Sequence, residues 1–242
     1  MEKVVCALWR DAGQAREPFN ARLVASLPAT LADAGASRIR INLRDADVDP
    51  AAQLVQQWQA PQQDAVVQFW LPSANALFRE QADRTIAEHC ARFAAWLVCE
   101  STVIANSQHP PVPGARTWGW AQASFITFRA DLGHDAALRH WHAHHTRVAI
   151  DTQANFEYVQ NAVLRPLTEG APAYDAFVEE CFPPAAMTDP AVFFAADGDP
   201  ARLKANVASM MDSCGAFLDF ARNDIIPTSQ FDFTGLDAGQ RS

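Results

Sequence analysis

Hydrophobic and polar positions alternate along this chain in blocks whose period switches repeatedly between two and about 3.6, the signatures of strand and helix. In the first half, Lys3–Arg10 is apolar and branched and reads as a strand closed by the turn Asp11-Ala-Gly13. Over Glu17–Ala34, Phe19, Leu23, Leu27 and Leu31 recur every fourth residue, a helical stripe. Pro28 interrupts that stripe and is expected to kink or split the helix, and Gly35 supplies its C-terminal stop. Arg38–Leu43 alternates strictly and predicts a half-buried strand. Asp45–Pro61 is polar and loop-like with one helical turn. Asp64–Trp70 predicts a strand, Pro72 and Ser73 open a helix towards Cys90, and Phe93–Ile104 predicts a long strand.

His109-Pro-Pro-Val-Pro-Gly114 can continue neither regular structure and marks a linker. Beyond it the order recurs. Ser124–Arg129 predicts a strand, about 135–150 a helix, Phe156–Leu164 a strand stopped by Pro166, and Ala173–Phe182 another strand. Asp189-Pro190 and Asp199-Pro200 each read as an N-cap followed by proline at the first helical position, and Phe217–Ile226 is expected as the last strand. Cys90-x-x-Phe93-x-x-Trp96-x-x-x-Glu100 aligns with Cys214-x-x-Phe217-x-x-Phe220-x-x-x-Asp224. Each half then reads β-α-β-β-α-β, the ferredoxin-like unit, with helices on one face of a sheet and the other face in need of a cover. Two such sheets in one chain can cover each other. The expected organisation is an α+β fold of two tandem repeats, 1–109 and 123–242, joined by a proline-rich linker at 110–122 and closing a pseudo-dimeric barrel.

Composition narrows the class. The 242 residues are 49% hydrophobic and 19% charged, too apolar for a disordered chain. The formal net charge of −9 argues against nucleic acid and anionic membrane surfaces as partners. No apolar run reaches the roughly 18 residues of a spanning helix, and the N-terminus does not read as a signal peptide. The five cysteines, at 6, 90, 99, 181 and 214, include no C-x-x-C and have apolar neighbours. They are expected to be reduced and buried in a cytoplasmic protein.

Five of the seven histidines fall at 134, 140, 142, 144 and 145. On a helical wheel, Leu138, Trp141, His145 and Val148 share one stripe, His144 lies at its edge, and His140 and His142 point to opposite flanks. The corresponding stripe of the first half, Phe19, Leu23 and Leu27, carries no histidine. Two readings of His145 stand at this point: a core imidazole satisfied by its surroundings, or the wall of a ligand pocket that donates, accepts or moves a proton near neutrality. A metal reading through His140 and His144 lacks a glutamate after the first histidine and an evident third ligand, so no metal is expected. The strand at 156–164 places Tyr158 and Gln160 on one face and Val159 and Asn161 on the other.

Trp141-x-x-x-His145 on a helix, followed by Tyr158-Val-Gln-Asn161 leading to Leu164, resembles the EthD family of the dimeric α+β barrel superfamily over about 123–227. The first half shares the element order and lacks the Trp/His pair. The resemblance implies a small-molecule pocket in the second half. Related proteins look like cofactor-free dehydratases, cyclases or decarboxylases of aromatic intermediates, while the superfamily also includes cofactor-free monooxygenases, muconolactone isomerases and haem proteins; fold alone does not choose among them. The expected site has His145 and Tyr158 as catalytic residues and Trp141, His144 and Gln160 against the substrate, with no cofactor. The expected reaction is a lyase, cyclase or isomerase step on a small aromatic or polyketone catabolic intermediate. The alternative is an accessory or stress-response protein that binds a hydrophobic ligand without converting it, as a monomeric pseudo-dimer or a homodimer.

Overall fold

The computed structural model describes residues 1–234; the tail at 235–242, drawn above into the second repeat, lies outside the described residues. In chain order the strands and helices are β1 (Glu2–Trp9), α1 (Arg16–Asp33), β2 (Ser37–Leu43), β3 (Ala65–Leu71), α2 (Ala76–Ala87), β4 (Arg92–Ile104), β5 (Trp120–Ile126), α3 (His134–His140), α4 (Thr146–Thr152), β6 (Glu157–Pro166), β7 (Ala176–Phe182), α5 (Pro190–Phe193), α6 (Pro200–Gly215) and β8 (Asp224–Asp232). The strands close an antiparallel barrel in the order β1-β3-β2-β8-β5-β7-β6-β4. Each half supplies four consecutive neighbours, ordered fourth, first, third, second. The seams are β2 on β8 and β4 on β6, so each half covers the open edges of the other.

Alternation along each strand divides its side chains between two environments. On β1, Val4, Cys6 and Leu8 face outward into a core shared with α1 and α2, while Val5, Ala7 and Trp9 face the barrel interior. Both faces are covered, which explains the unbroken apolar run. Phe19, Leu23, Leu27 and Leu31 of α1 are fully buried against the outer sheet face. Each contributes roughly 1.5–3 kcal/mol on burial. This packing holds α1 together across Pro28, which does not split the helix. Gly35, at φ 86°, ends it by letting Ala36 N–H reach the Leu31 carbonyl at 2.9 Å. The second helix is capped by Asn75, later than Pro72-Ser73 suggested; the Asn75 side chain accepts from Leu77 N–H. Asp189 and Asp199 cap α5 and α6 as expected.

Two expectations fail for one reason. Arg38–Leu43 was expected to turn its polar face to solvent, and Phe217–Ile226 to be the last strand. Instead, Arg40 and Asn42 point into the barrel, and the last strand is β8, shifted towards the C-terminus. Cys214 lies in the last turn of α6 and Phe217 is a buried turn residue, so the match of Cys214–Asp224 to Cys90–Glu100 does not align strand with strand. Thr228, Gln230 and Asp232 did not look like strand residues because the interior they face is polar. Cys99 is exposed rather than buried, and all five cysteines are free.

The interior has an apolar part, around Trp96, Phe125 and Phe177, and a polar part centred on Arg40. Arg40 donates from Nη1 to Glu157 and Glu179 (both 2.8 Å) and from Nη2 to Asp232 (2.9 Å). Glu179, fully buried, also accepts from Asn42 (2.6 Å), Gln68 (2.9 Å) and Gln230 (2.9 Å). Burial alone would raise this carboxyl; Arg40 and the amides outweigh burial and hold it at about 2. Its folded value is depressed, so the stability it lends is complete above the unfolded carboxylate range and is lost as pH falls from about 4.5 towards 2. Replacing Arg40 with Met strands three carboxylates and is expected to cost about 3–5 kcal/mol at neutral pH. Denaturant melts over pH are the check: the variant should gain stability on mild acidification, where the wild type does not.

Candidate functional site

The site is built on the outer face of the second half's sheet, under the histidine-rich helix. That helix is not uniform. Between α3 and α4, Trp141–His145 forms a π-helical turn. Thr146 Oγ1 donates to the Trp141 carbonyl at 2.9 Å across the widened turn. Such turns insert one extra residue and shift the register of a helical face. The buried positions are consequently Ala137, Trp141, His145, Ala149 and Thr152, while Leu138 and Val148, placed on the buried stripe by a regular wheel, are only half-buried.

Strand β6 anchors the turn. Gln160 Nε2 donates both to Thr146 Oγ1 (2.9 Å) and to the Tyr158 hydroxyl oxygen (2.7 Å). The Tyr158 oxygen therefore accepts within the protein and its own O–H remains a donor. Burial, first, and the nearby Glu180 carboxyl raise the Tyr158 phenol well above its ordinary value, so it stays neutral and protonated. Gln160 acts on the site through Tyr158 and does not line the cavity.

A cavity of about 450 Å³ lies beside these groups, within the usual range of small-molecule sites. Trp141, His145 and Tyr158 all form part of its wall. Met210, Phe193 and Phe217 make much of the remainder apolar, and Gln53, Leu54 and Gln56 of the first half close one side. His145 Nδ1 lies 3.0 Å from Ser213 Oγ, and its ring packs on Phe217 at 4.9 Å. Burial, with smaller contributions from His140 and His144, lowers its pKa to about 4, so it is neutral at physiological pH.

His144 is not part of the site. It is exposed, its ring tilted against that of His140 at 5.0 Å, and it lies outside the cavity wall. His140 is held outside the cavity by its contact with the Ser213 carbonyl at 3.2 Å. Among the described residues no three His, Cys, Asp or Glu side chains converge as a metal site would require, and no helix is long and apolar enough to cross a membrane.

The strongest group in the cavity was absent from the sequence reading. Glu180 of β7 is buried, lines the cavity, and accepts one hydrogen bond, from Asn155 Nδ2 at 2.9 Å. Burial pushes its carboxyl up to about 7. Strand periodicity could have found it: in Ala176-Phe-Val-Glu-Glu-Cys-Phe182, Glu179 and Glu180 must face opposite sides, and both sides of this sheet are covered.

His145 and Glu180 impose opposite pH dependences. His145 is depressed in the fold, so its contribution to stability is lost as pH falls from about 6.5 to about 4. Glu180 is raised, so its contribution is present below about 4.5 and lost as pH rises to about 7. The two largely cancel in the wild type. Glu180→Gln is expected to become more stable with rising pH across this window, and His145→Gln less stable, each by on the order of 3 kcal/mol relative to wild type. Chemical melts of the three proteins at matched pH values check the signs.

Residues 129–221 match the family model for the EthD domain. Trp141, His145, Tyr158, Glu180 and Phe217 all lie inside that segment. No curated protein matches the sequence. Among solved structures, an anthrone oxidase-like protein superposes with a TM-score of 0.54 at 11% identity, covering 100% of this chain and 96% of that one. A monooxygenase-like protein from Lactobacillus acidophilus NCFM gives 0.49 at 9% identity, covering 96% and 94%. At 11% identity the likeness to the first of these is one of fold. The second half of the chain is therefore similar to the EthD domain over residues 129–221, within a closed antiparallel α+β barrel.

Proposed function

We propose that the cavity beside Trp141, His145 and Tyr158 binds a small, uncharged aromatic or polyketone molecule and promotes a proton transfer on it without a cofactor, as a lyase, cyclase or isomerase. The observation that carries this reading is the convergence of a neutral imidazole, a phenol O–H and an indole on one largely apolar cavity. The phenol can donate to an oxygen on which negative charge develops, the indole offers a flat apolar wall, and the neutral imidazole can accept or donate a hydrogen bond without bringing charge into the cavity. The imidazole and the indole share the π turn and the phenol sits on β6, tied by the hydrogen bonds of Gln160, Thr146 and Ser213.

The wider organisation is read the same way. The shared strand order of the two halves supports descent from one ferredoxin-like unit, with 1–109 as a copy lacking the Trp/His pair and 123–242 as the functional copy. Closure of the barrel inside one chain supports a monomeric pseudo-dimer. The free cysteines suit a reducing compartment such as the cytoplasm.

A second reading, a carrier that holds its ligand unchanged, draws on one feature. At a pKa of about 4, held against Ser213, His145 is a weak base and serves well as a fixed hydrogen-bonding wall. Native mass spectrometry of the purified protein is expected to show a retained small molecule. When that molecule is isolated and returned in excess, the proton-transfer reading expects its conversion, and Tyr158→Phe should slow conversion about a hundredfold or more while melting close to wild type. Recovery of the molecule unaltered contradicts the enzyme and leaves the carrier.

A further inference from the structure

Glu179 and Glu180 are neighbours on β7 and face opposite sides of the sheet. Glu179, inside the barrel, has a guanidinium and three amide donors. Glu180, on the cavity side, has one amide donor and, among the described residues, no cation in salt-bridge contact. Burying a carboxyl without a cation is costly, and a protein that keeps one in a cavity wall is using it or neutralising it.

Cross-strand register places Glu180 beside Tyr158 of β6 and beside Gln122 of β5, so the three polar side chains form a row across three adjacent strands, all lining the cavity. We infer that Glu180 is the proton-accepting group of this cavity, and that the cavity takes uncharged ring compounds bearing an acidic C–H next to a carbonyl, or a phenolic hydroxyl, in preference to carboxylates. The inference rests on the small-molecule reading above and names its base and its substrate class.

The step balances without an oxidant or co-reactant. Glu180 removes a proton from the carbon beside the carbonyl. The C–H electron pair becomes a C=C bond, and the carbonyl π pair moves to oxygen as an enolate. The Tyr158 O–H donates to that oxygen. Return of the proton to the same carbon completes an exchange; where the ring carries a C=C conjugated with the enolate, return to its remote carbon shifts that double bond and completes an isomerisation. A carboxylate without a counter-ion in an apolar wall is a stronger base than one in water. The other titratable groups facing this row are His145 from the π turn, Tyr158 from β6 and Cys214 from α6. Burial lowers His145 to about 4, and burial raises Cys214 to about 12 and Tyr158 further still. Of this group only Glu180 changes charge near neutrality.

The test uses three probes on the full chain: 2-naphthol, 2-naphthoate and 2-tetralone, a ring ketone whose enol has the shape of the naphthol. Naphthol binding, followed by fluorescence, reports the cavity alone. The wild type is expected to bind naphthol, to bind naphthoate at least about tenfold more weakly at about pH 8.5 than at about pH 5.5, and to accelerate α-deuterium exchange of tetralone about a hundredfold over buffer. Glu180→Gln, a neutral isostere, should keep naphthol binding, lose the pH dependence for naphthoate and lose the exchange. His145→Gln should keep the pH dependence. Naphthol binding with no catalysed exchange, or with exchange intact in Glu180→Gln, overturns the role of Glu180 and leaves the cavity reading standing. Failure of naphthol to bind contradicts both.

Discussion

The two halves of the fold are tied together by one half-buried guanidinium. Arg40 comes from the first half and its three carboxylate partners, Glu157, Glu179 and Asp232, come from three strands of the second. The sheet of each half has one face covered by helices and one face turned into the barrel. In this chain the two inner faces meet, and the polar part of their interface is satisfied only when both halves are present and in register. The barrel therefore assembles as a single unit, with hydrophobic contacts around Trp96 and Phe177 supplying affinity and the Arg40 network supplying alignment. A cavity of about 260 Å³ opens onto the Arg40 network, and a roomier, more apolar one of about 450 Å³ lies on the outer face under the second half's helices.

The difference between the two outer faces lies in how each is filled. In the first half, Phe19, Leu23, Leu27 and Leu31 seal α1 directly onto the sheet. In the second half the equivalent helix carries Trp141 and His145, is widened by a π turn, and is supported by Gln160 and Thr146 rather than by aliphatic packing alone. Polar residues on β5, β6 and β7 face it, Glu180 among them. The result is a cavity in place of a core, at a cost in stability that the opposed pH dependences of His145 and Glu180 make visible.

Much of this was legible in the sequence. Two-residue and four-residue apolar spacings located most elements, and the Trp141/His145 spacing identified the inward-facing histidine among five. Tyr158 and Gln160 could be assigned to one face from strand alternation alone. The misses share a physical origin: the rule that polar residues face solvent fails for a barrel with a polar interior. Arg40 and Asn42 looked like a solvated strand face, and Thr228-Ser-Gln-Phe-Asp232 did not look like a strand at all. Glu180 was passed over because a single glutamate in a strand is ordinarily an exposed residue, and only the covering of both sheet faces makes it exceptional. His144 was placed at the edge of the site by a regular wheel, and a π turn is not visible in residue spacing.

On the proposed function, ligand enters the cavity under the histidine-rich helix and not the barrel interior. Trp141 lines the cavity and Trp96 lies inside the barrel, so their indole N–H resonances report the two places separately. In a ¹⁵N-resolved NMR titration with 2-naphthol, the Trp141 indole resonance is expected to shift saturably while that of Trp96 stays in place. A shift confined to Trp96, or none at Trp141 at saturating ligand, would contradict it.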